Sequence, residues 1–196
     1  MRNPDILLAL KPVIKAFDQM SIPYYIGGSI ASSLYGLARA TMDVDIIADI
    51  ALPQVSSLVC RLQDEYYIDE HMIENAIASV SSFNLIHLET MMKVDVFLQK
   101  KDPYHASALA RKLKDQLAEE DQDSVFFLAS PEDVILSKLC WYELGGRVSE
   151  RQWLDVLGVL KVQGDSLERE YLIHWAKTLG VSDLLAQAFS EAGISS

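Results

Sequence analysis

Apolar and polar positions follow two different rhythms along this chain, and the change comes near residue 129. Before it, short apolar runs of period two alternate with stretches of helical spacing. Ile6, Leu10, Val13 or Ile14, and Phe17 recur at helical intervals, which predicts an amphipathic helix to about Met20, opened by Asn3-Pro4. Pro23 separates it from an apolar strand at Tyr24 to Ile26, and a second strand begins Asp43-Val44-Asp45. Between them, a helical stretch follows Gly27-Gly28-Ser29 and stops at Gly36. Pro53 opens a helix through Val55, Leu58, Val59 and Leu62. A short strand at Tyr66 to Ile68 and a helical turn at His71 to Ala76 come next. Ser82 to Glu89 and Lys93 to Gln99 read as strands joined by a turn at Thr90 to Met92, a connection short enough for an antiparallel hairpin. A helix is expected over Pro103 to Ala118, with Ala106, Leu109, Ala110, Leu113 and Leu117 on its inner side. Glu119 to Asp123 reads as an acidic, exposed connection, and Val125 to Leu128 as the last strand.

From Ser130 onward the pattern is helical. Ser130-Pro131-Glu132-Asp133 combines a capping hydroxyl, proline at the first helical position and acids near the positive end of the helix dipole. Four helices are predicted: Pro131 to Leu144, Ser149 to Val162, Ser166 to just before Gly180, and Ser182 to about Gly193. The expected class is therefore α+β: a sheet with helices packed on it in residues 1–129, followed by a helical bundle in residues 130–196.

Composition narrows this picture only slightly. In 196 residues, half are hydrophobic and 23% charged, as in an ordinary globular protein. No apolar run reads as a signal peptide or a membrane span, so a cytoplasmic protein without membrane attachment is expected. Cys60 and Cys140 read as buried free thiols, and the scattered histidines argue against zinc. The net charge of −11 argues against a broad nucleic-acid surface. It leaves room for a local one, since Lys100, Lys101, Arg111, Lys112 and Lys114 cluster in sequence, either as a groove lining or as a solvated helix face.

The candidate chemistry lies between Gly27 and Ile47. Asp43 and Asp45, two apart on a strand, point to one face. Carboxylates so close repel unless a positive charge sits between them, and a divalent cation such as Mg²⁺ or Mn²⁺ suits hard oxygen ligands. Gly27-Gly28 allows close backbone approach, and Ser29 opens a helix whose free N–H groups attract phosphate. A tight turn with solvent-facing aspartates at a strand start is the plainer alternative. In the later strand Lys93, Asp95 and Phe97 share a face, so Asp95 is either a third carboxylate beside the pair or an edge-strand residue meeting water.

A Gly-Gly-Ser turn followed, one helix later, by Asp43-x-Asp45 resembles the nucleotidyltransferase superfamily related to DNA polymerase beta. Arg39-x-Thr41-x-Asp43-x-Asp45 looks like its bacterial branch of abortive-infection type toxins. The resemblance implies a nucleotidyltransferase-like mixed sheet, with Asp43, Asp45 and, in Val94-Asp95-Val96, Asp95 as catalytic and metal-binding residues for Mg²⁺ or Mn²⁺. It implies nucleotide binding by Gly27, Gly28, Ser29, Arg39 and Thr41, and, from the C-terminal helices, by Lys138, Arg151 and Asp155. Where that branch has Lys-Asp before its final aspartate, this chain has Arg151-Gln152, so one acid is missing. Read from the residues alone, Lys138 is a snorkelling helix lysine, and Arg151 with Asp155 a surface ion pair.

The function implied is transfer of a nucleoside monophosphate from ATP or another nucleoside triphosphate to an acceptor hydroxyl. The acceptor is RNA, as for the toxin of a toxin–antitoxin pair with a cognate antitoxin protein, or a small molecule of antibiotic type, or a protein. A catalytically silent nucleotide- or partner-binding module of the same fold is the alternative from another class.

Overall fold

A computed structural model describes residues 4–39, 41, 43–116 and 125–194. The expected cap at Asn3, Leu117 and Ala118 of the expected helix, and the acidic connection Glu119 to Asp123 lie outside the described residues. The chain forms two compact units, residues 1–27 with 41–128, and residues 28–40 with 129–196. A division at 129/130 assigns residues 28–40 to the α/β part, whereas in space they group with the C-terminal helices.

The first unit is built on a seven-stranded mixed sheet. In chain order the strands are β1 (Tyr24–Ile26), β2 (Asp43–Ala48), β3 (Tyr66–Tyr67), β4 (Ser82–His87), β5 (Lys93–Leu98), β6 (Leu113–Gln116) and β7 (Val125–Leu128), and their order across the sheet is β3-β4-β5-β2-β1-β7-β6. The predicted hairpin is present as antiparallel β4 and β5, and β5 then runs parallel to β2. On β2 and β5 alternate residues are buried, so Val44, Ile46, Ala48, Val94, Val96 and Leu98 turn into the core. That core is closed by helix α1 (Pro4–Gln19), which buries Leu10, Val13 and Phe17, and by helices α3 (Val55–Leu62) and α4 (Glu70–Ser79). The buried Tyr66 hydroxyl donates to the Ala9 carbonyl at 2.8 Å, tying β3 to α1. Each large aliphatic side chain taken out of water here contributes about 1.5–3 kcal/mol.

The helix expected over Pro103 to Ala118 is half right. Helix α5 (Pro103–Ala110), capped by Asp102, ends at Arg111, and Leu113–Gln116 pairs as an edge strand with β7. Helical spacing continues through Leu113, but hydrogen bonding to an open sheet edge overrides a weak local propensity. Two consequences follow. The lysines of this stretch do not form a helix face: Lys112 lies 4.1 Å from the centre of the Phe127 ring and donates to the Tyr24 carbonyl, while Lys101 pairs with Asp49. The free thiols also differ from expectation, because Cys60 is exposed on α3 and Cys140 only half buried.

The second unit comprises α2 (Gly28–Tyr35) with α6 (Pro131–Leu144), α7 (Glu150–Gln163), α8 (Arg169–Leu179) and α9 (Ser182–Ala192). Helix α2 packs on α6 and α7. A Cβ on Gly36 would meet the Val159 backbone nitrogen at 2.7 Å, and one on Gly158 the Leu37 nitrogen at 3.2 Å, so this approach requires both glycines. At the start of α6 the predicted cap is present, with Ser130 Oγ accepting from the Asp133 N–H. Its acids do more than face the dipole: Asp133 accepts from the Tyr171 hydroxyl and Glu132 from the Glu168 N–H, which anchors the start of α8. No helix among the described residues is long and apolar enough to cross a membrane.

Candidate functional site

The predicted residues gather into two clusters, one in each unit. In the first unit, the parallel pairing of β2 with β5 sets Asp45 opposite Asp95 and Asp43 opposite Lys93. All four share the face that is not buried in the core, because the two strands run in phase with period two. Asp95 is no edge residue: β5 lies between β4 and β2, and the Asp95 side chain is only 20% exposed. Strand β2 is anchored at its start by the Thr41 hydroxyl, which donates to the Asp43 carbonyl and accepts from the Asp43 N–H. The Gly27 N–H donates to the Asp45 carbonyl at 2.9 Å, and a Cβ on Gly27 would press on Ile47 at 3.0 Å. That is the close approach expected of Gly27, made here to the strand that carries the aspartates.

Lys93 is the residue to which sequence reasoning assigned no role. Its Nζ lies 2.8 Å from Asp95 Oδ2. The hydrogen bond that its ammonium donates to Asp95, with the charges of Asp95, Asp43 and Asp45, outweighs desolvation and holds the group above its ordinary range. The repulsion among the carboxylates is thus already offset by a cation from the chain itself. Among the described residues no three His, Cys, Asp or Glu side chains stand closed around a position for a metal ion. The three carboxylates on one face carry oxygens of the hard type that Mg²⁺ prefers. The signal for Lys93 was available in the sequence: it precedes Asp95 by two, as Asp43 precedes Asp45.

In the second unit, Arg39, Ser29, Lys138 and Asp155 form a single network. Arg39 grips Asp155 with both ends of its fork, Nε to Oδ1 at 2.9 Å and a terminal nitrogen to Oδ2 at 3.0 Å, and also donates to Ser29 Oγ at 2.5 Å. Lys138 Nζ reaches Asp155 Oδ2 at 2.8 Å, with only 6% of either side chain exposed. Lys138 is therefore not a snorkelling lysine, and the Asp155 carboxylate is engaged by Arg39 and Lys138 rather than by Arg151, which is exposed. Burial alone would raise the Asp155 carboxyl, but hydrogen bonds from Arg39 and Lys138, and their charges, hold it below its ordinary value. One guanidinium and one ammonium against one carboxylate leave the trio with a single positive charge. Gln152, where the toxin-like branch has an acid, is half buried and neutral, with its Oε1 unpaired. Gly28 sits at the head of α2 with φ +54°, a conformation that glycine adopts without strain.

By sequence the chain matches no protein-family model and no curated protein. Its fold does match solved structures. One is the crystal structure of ANT(2″)-Ia in complex with adenylyl-2″-tobramycin, at TM-score 0.56 and 14% identity over 90% of this chain and 97% of that one. The solution structure of the antibiotic-resistance factor ANT(2″)-Ia matches at TM-score 0.55 and 11% identity, covering 95% and 99%. An antigenic nucleotidyltransferase-like protein from Paracoccidioides brasiliensis matches at 0.54 and 17%, covering 98% and 95%. The chain thus has an α+β nucleotidyltransferase fold: the α+β class follows the sequence pattern, and the nucleotidyltransferase-like sheet follows the resemblance.

Proposed function

We propose that this protein transfers a nucleoside monophosphate from a nucleoside triphosphate to an acceptor hydroxyl, with Mg²⁺ or Mn²⁺ held by Asp43, Asp45 and Asp95. The observation that supports it best is the shared, half-exposed face on which β2 and β5 present those three carboxylates within a nucleotidyltransferase fold. A bound divalent cation would supply charge neutralisation for the polyphosphate and for the in-line displacement at the α-phosphorus. Asp43 and Asp45 orient by their fixed register, and Asp95 is the carboxylate that takes the proton of the acceptor hydroxyl. In the second unit Arg39, a quarter exposed, binds phosphate oxygens together with the Ser29 hydroxyl, while the buried Lys138 adds positive charge behind it and Asp155 keeps both cations in place. Gly27 and Thr41 shape the backbone beside the aspartates of the first unit and Gly28 that beside Ser29 in the second, where Arg151 contributes an exposed charge.

The net charge of −11 favours a small neutral or cationic alcohol as acceptor over an RNA end. A toxin acting on RNA, paired with an antitoxin, is the second reading, and it rests on Lys138 and Asp155, which match the toxin-like branch. Labelled nucleoside triphosphates with Mg²⁺, offered total RNA and a panel of aminoglycoside and other polyol acceptors, separate the two. Asp45→Asn keeps shape and removes charge, so label transfer should be abolished while the circular dichroism spectrum and unfolding midpoint stay as in the parent. Transfer within about tenfold of the parent in that variant overturns the proposal, because catalytic carboxylates contribute far more than that.

A further inference from the structure

We infer that the outer face of α7, in the second unit, is a self-association surface on which a second copy of this chain packs antiparallel about a twofold axis at Gly158. The face is apolar at its centre. Leu154 and Val162 stand four residues before and four after Gly158, so all three positions lie on one side of the helix. Gly158 brings no side chain there, and Leu37 fills the gap, its Cγ 3.5 Å from where a Cβ would stand. Leu37, Leu154 and Val162 are 70%, 54% and 55% exposed, and they line up along α7. Single exposed aliphatic residues are ordinary, whereas a strip of them along one helix face marks a surface that a partner covers.

Charge selects the occupant. The chain carries a net charge of −11, so two copies repel over most of their surfaces. The outer side of α7 and the turn after it differ, since there the exposed Glu150 and Asp165 are matched by the exposed Arg151 and Lys161. Among the described residues no carboxylate pairs with Arg151, and Asp165 is fully exposed, with Arg169 no closer than 3.6 Å. Arg151 lies seven residues before Gly158, and Asp165 seven after it. A twofold axis at Gly158 runs the two α7 helices in opposite directions. Leu154 then meets Val162 of the second copy, Leu37 meets its own counterpart, and each Arg151 meets an Asp165. One patch therefore supplies both halves of an apolar centre and a charged rim, as an interface between identical copies requires. An acidic helix from another protein would set like charges against Glu150 and Asp165.

The test is sedimentation equilibrium of the full chain with no nucleotide present. The parent should associate reversibly to a dimer, and Leu37→Asp should raise the dimer dissociation constant roughly tenfold or more, because it puts a carboxylate at the apolar centre. Arg151→Glu should raise it roughly three- to tenfold, since each dimer loses two rim pairs and gains repulsion in their place. Combining Arg151→Glu with Asp165→Arg exchanges the two charges and should restore the parental value. A parent that stays monomeric up to about 1 mM overturns the inference. So does a dimer that Leu37→Asp, with parent-like circular dichroism, leaves unweakened, because that dimer forms through another face. A charge exchange that fails to restore association overturns the twofold arrangement. Leu154→Asp provides the same comparison if Leu37→Asp does not fold.

Discussion

Replacing Asp155 by alanine removes the one anion that sits between two cations in the second unit. Lys138 and Asp155 are each only 6% exposed at the side chain, so the ammonium has no route to water once its partner is gone. Arg39 is better placed: a quarter of its side chain is exposed and it keeps its hydrogen bond to Ser29. The cost therefore falls mainly on Lys138, and an uncompensated buried charge of this kind costs about 3–5 kcal/mol. Removing both buried partners in Lys138→Met with Asp155→Leu should recover most of that, to within about 1–2 kcal/mol of the parent, because apolar groups of similar volume carry no desolvation penalty. All three tryptophans (Trp141, Trp153 and Trp175) lie in the second unit, so fluorescence-monitored urea unfolding reports on it directly. The reasoning fails if Asp155→Ala shifts the unfolding free energy by less than about 1 kcal/mol, or if the double variant is as unstable as the single one.

Two further outcomes follow from the same unit. Gly36→Ala should destabilise it by about 1–3 kcal/mol, since the new methyl group meets the backbone of Val159 and Gly158, at 2.7 and 2.8 Å, rather than a side chain that can move; tryptophan-monitored urea midpoints of the two proteins check this. Acid should weaken the unit through Asp155, whose folded carboxyl lies below its ordinary value of 3.8. Its stabilisation is fully present above that value and is lost as pH falls through the lower folded one, so Asp155→Asn should flatten the fall in urea midpoint below about pH 4.

Much of the fold was legible because local signals agreed with one another. The capped start at Ser130, the glycine stops and the period-two strands around Asp43 and Lys93 each depend only on neighbouring residues. Where a local signal had a tertiary competitor it misled. Leu113–Gln116 continued a helical spacing but pairs with β7, a partner beyond the reach of local periodicity. A boundary drawn at the change of rhythm near residue 129 leaves helix α2 with the sheet, and Gly36 and Gly158 let that helix lie against α7.

The site divides in the same way. Period-two alternation by itself determined that Asp43 joins Asp45, and that Lys93 joins Asp95, each pair on one side of its strand. Only the parallel register of β2 on β5 decided that the two pairs face the same way, with Asp45 opposite Asp95. Likewise the sequence marked Arg39, Lys138 and Asp155 as candidates, but the partner of Asp155 is Arg39, 116 residues away, rather than Arg151 on its own helix. The physical reason is common to both cases. Side-chain direction is set within a few residues by backbone geometry, whereas the partner a charge finds is set by packing between elements far apart in the chain.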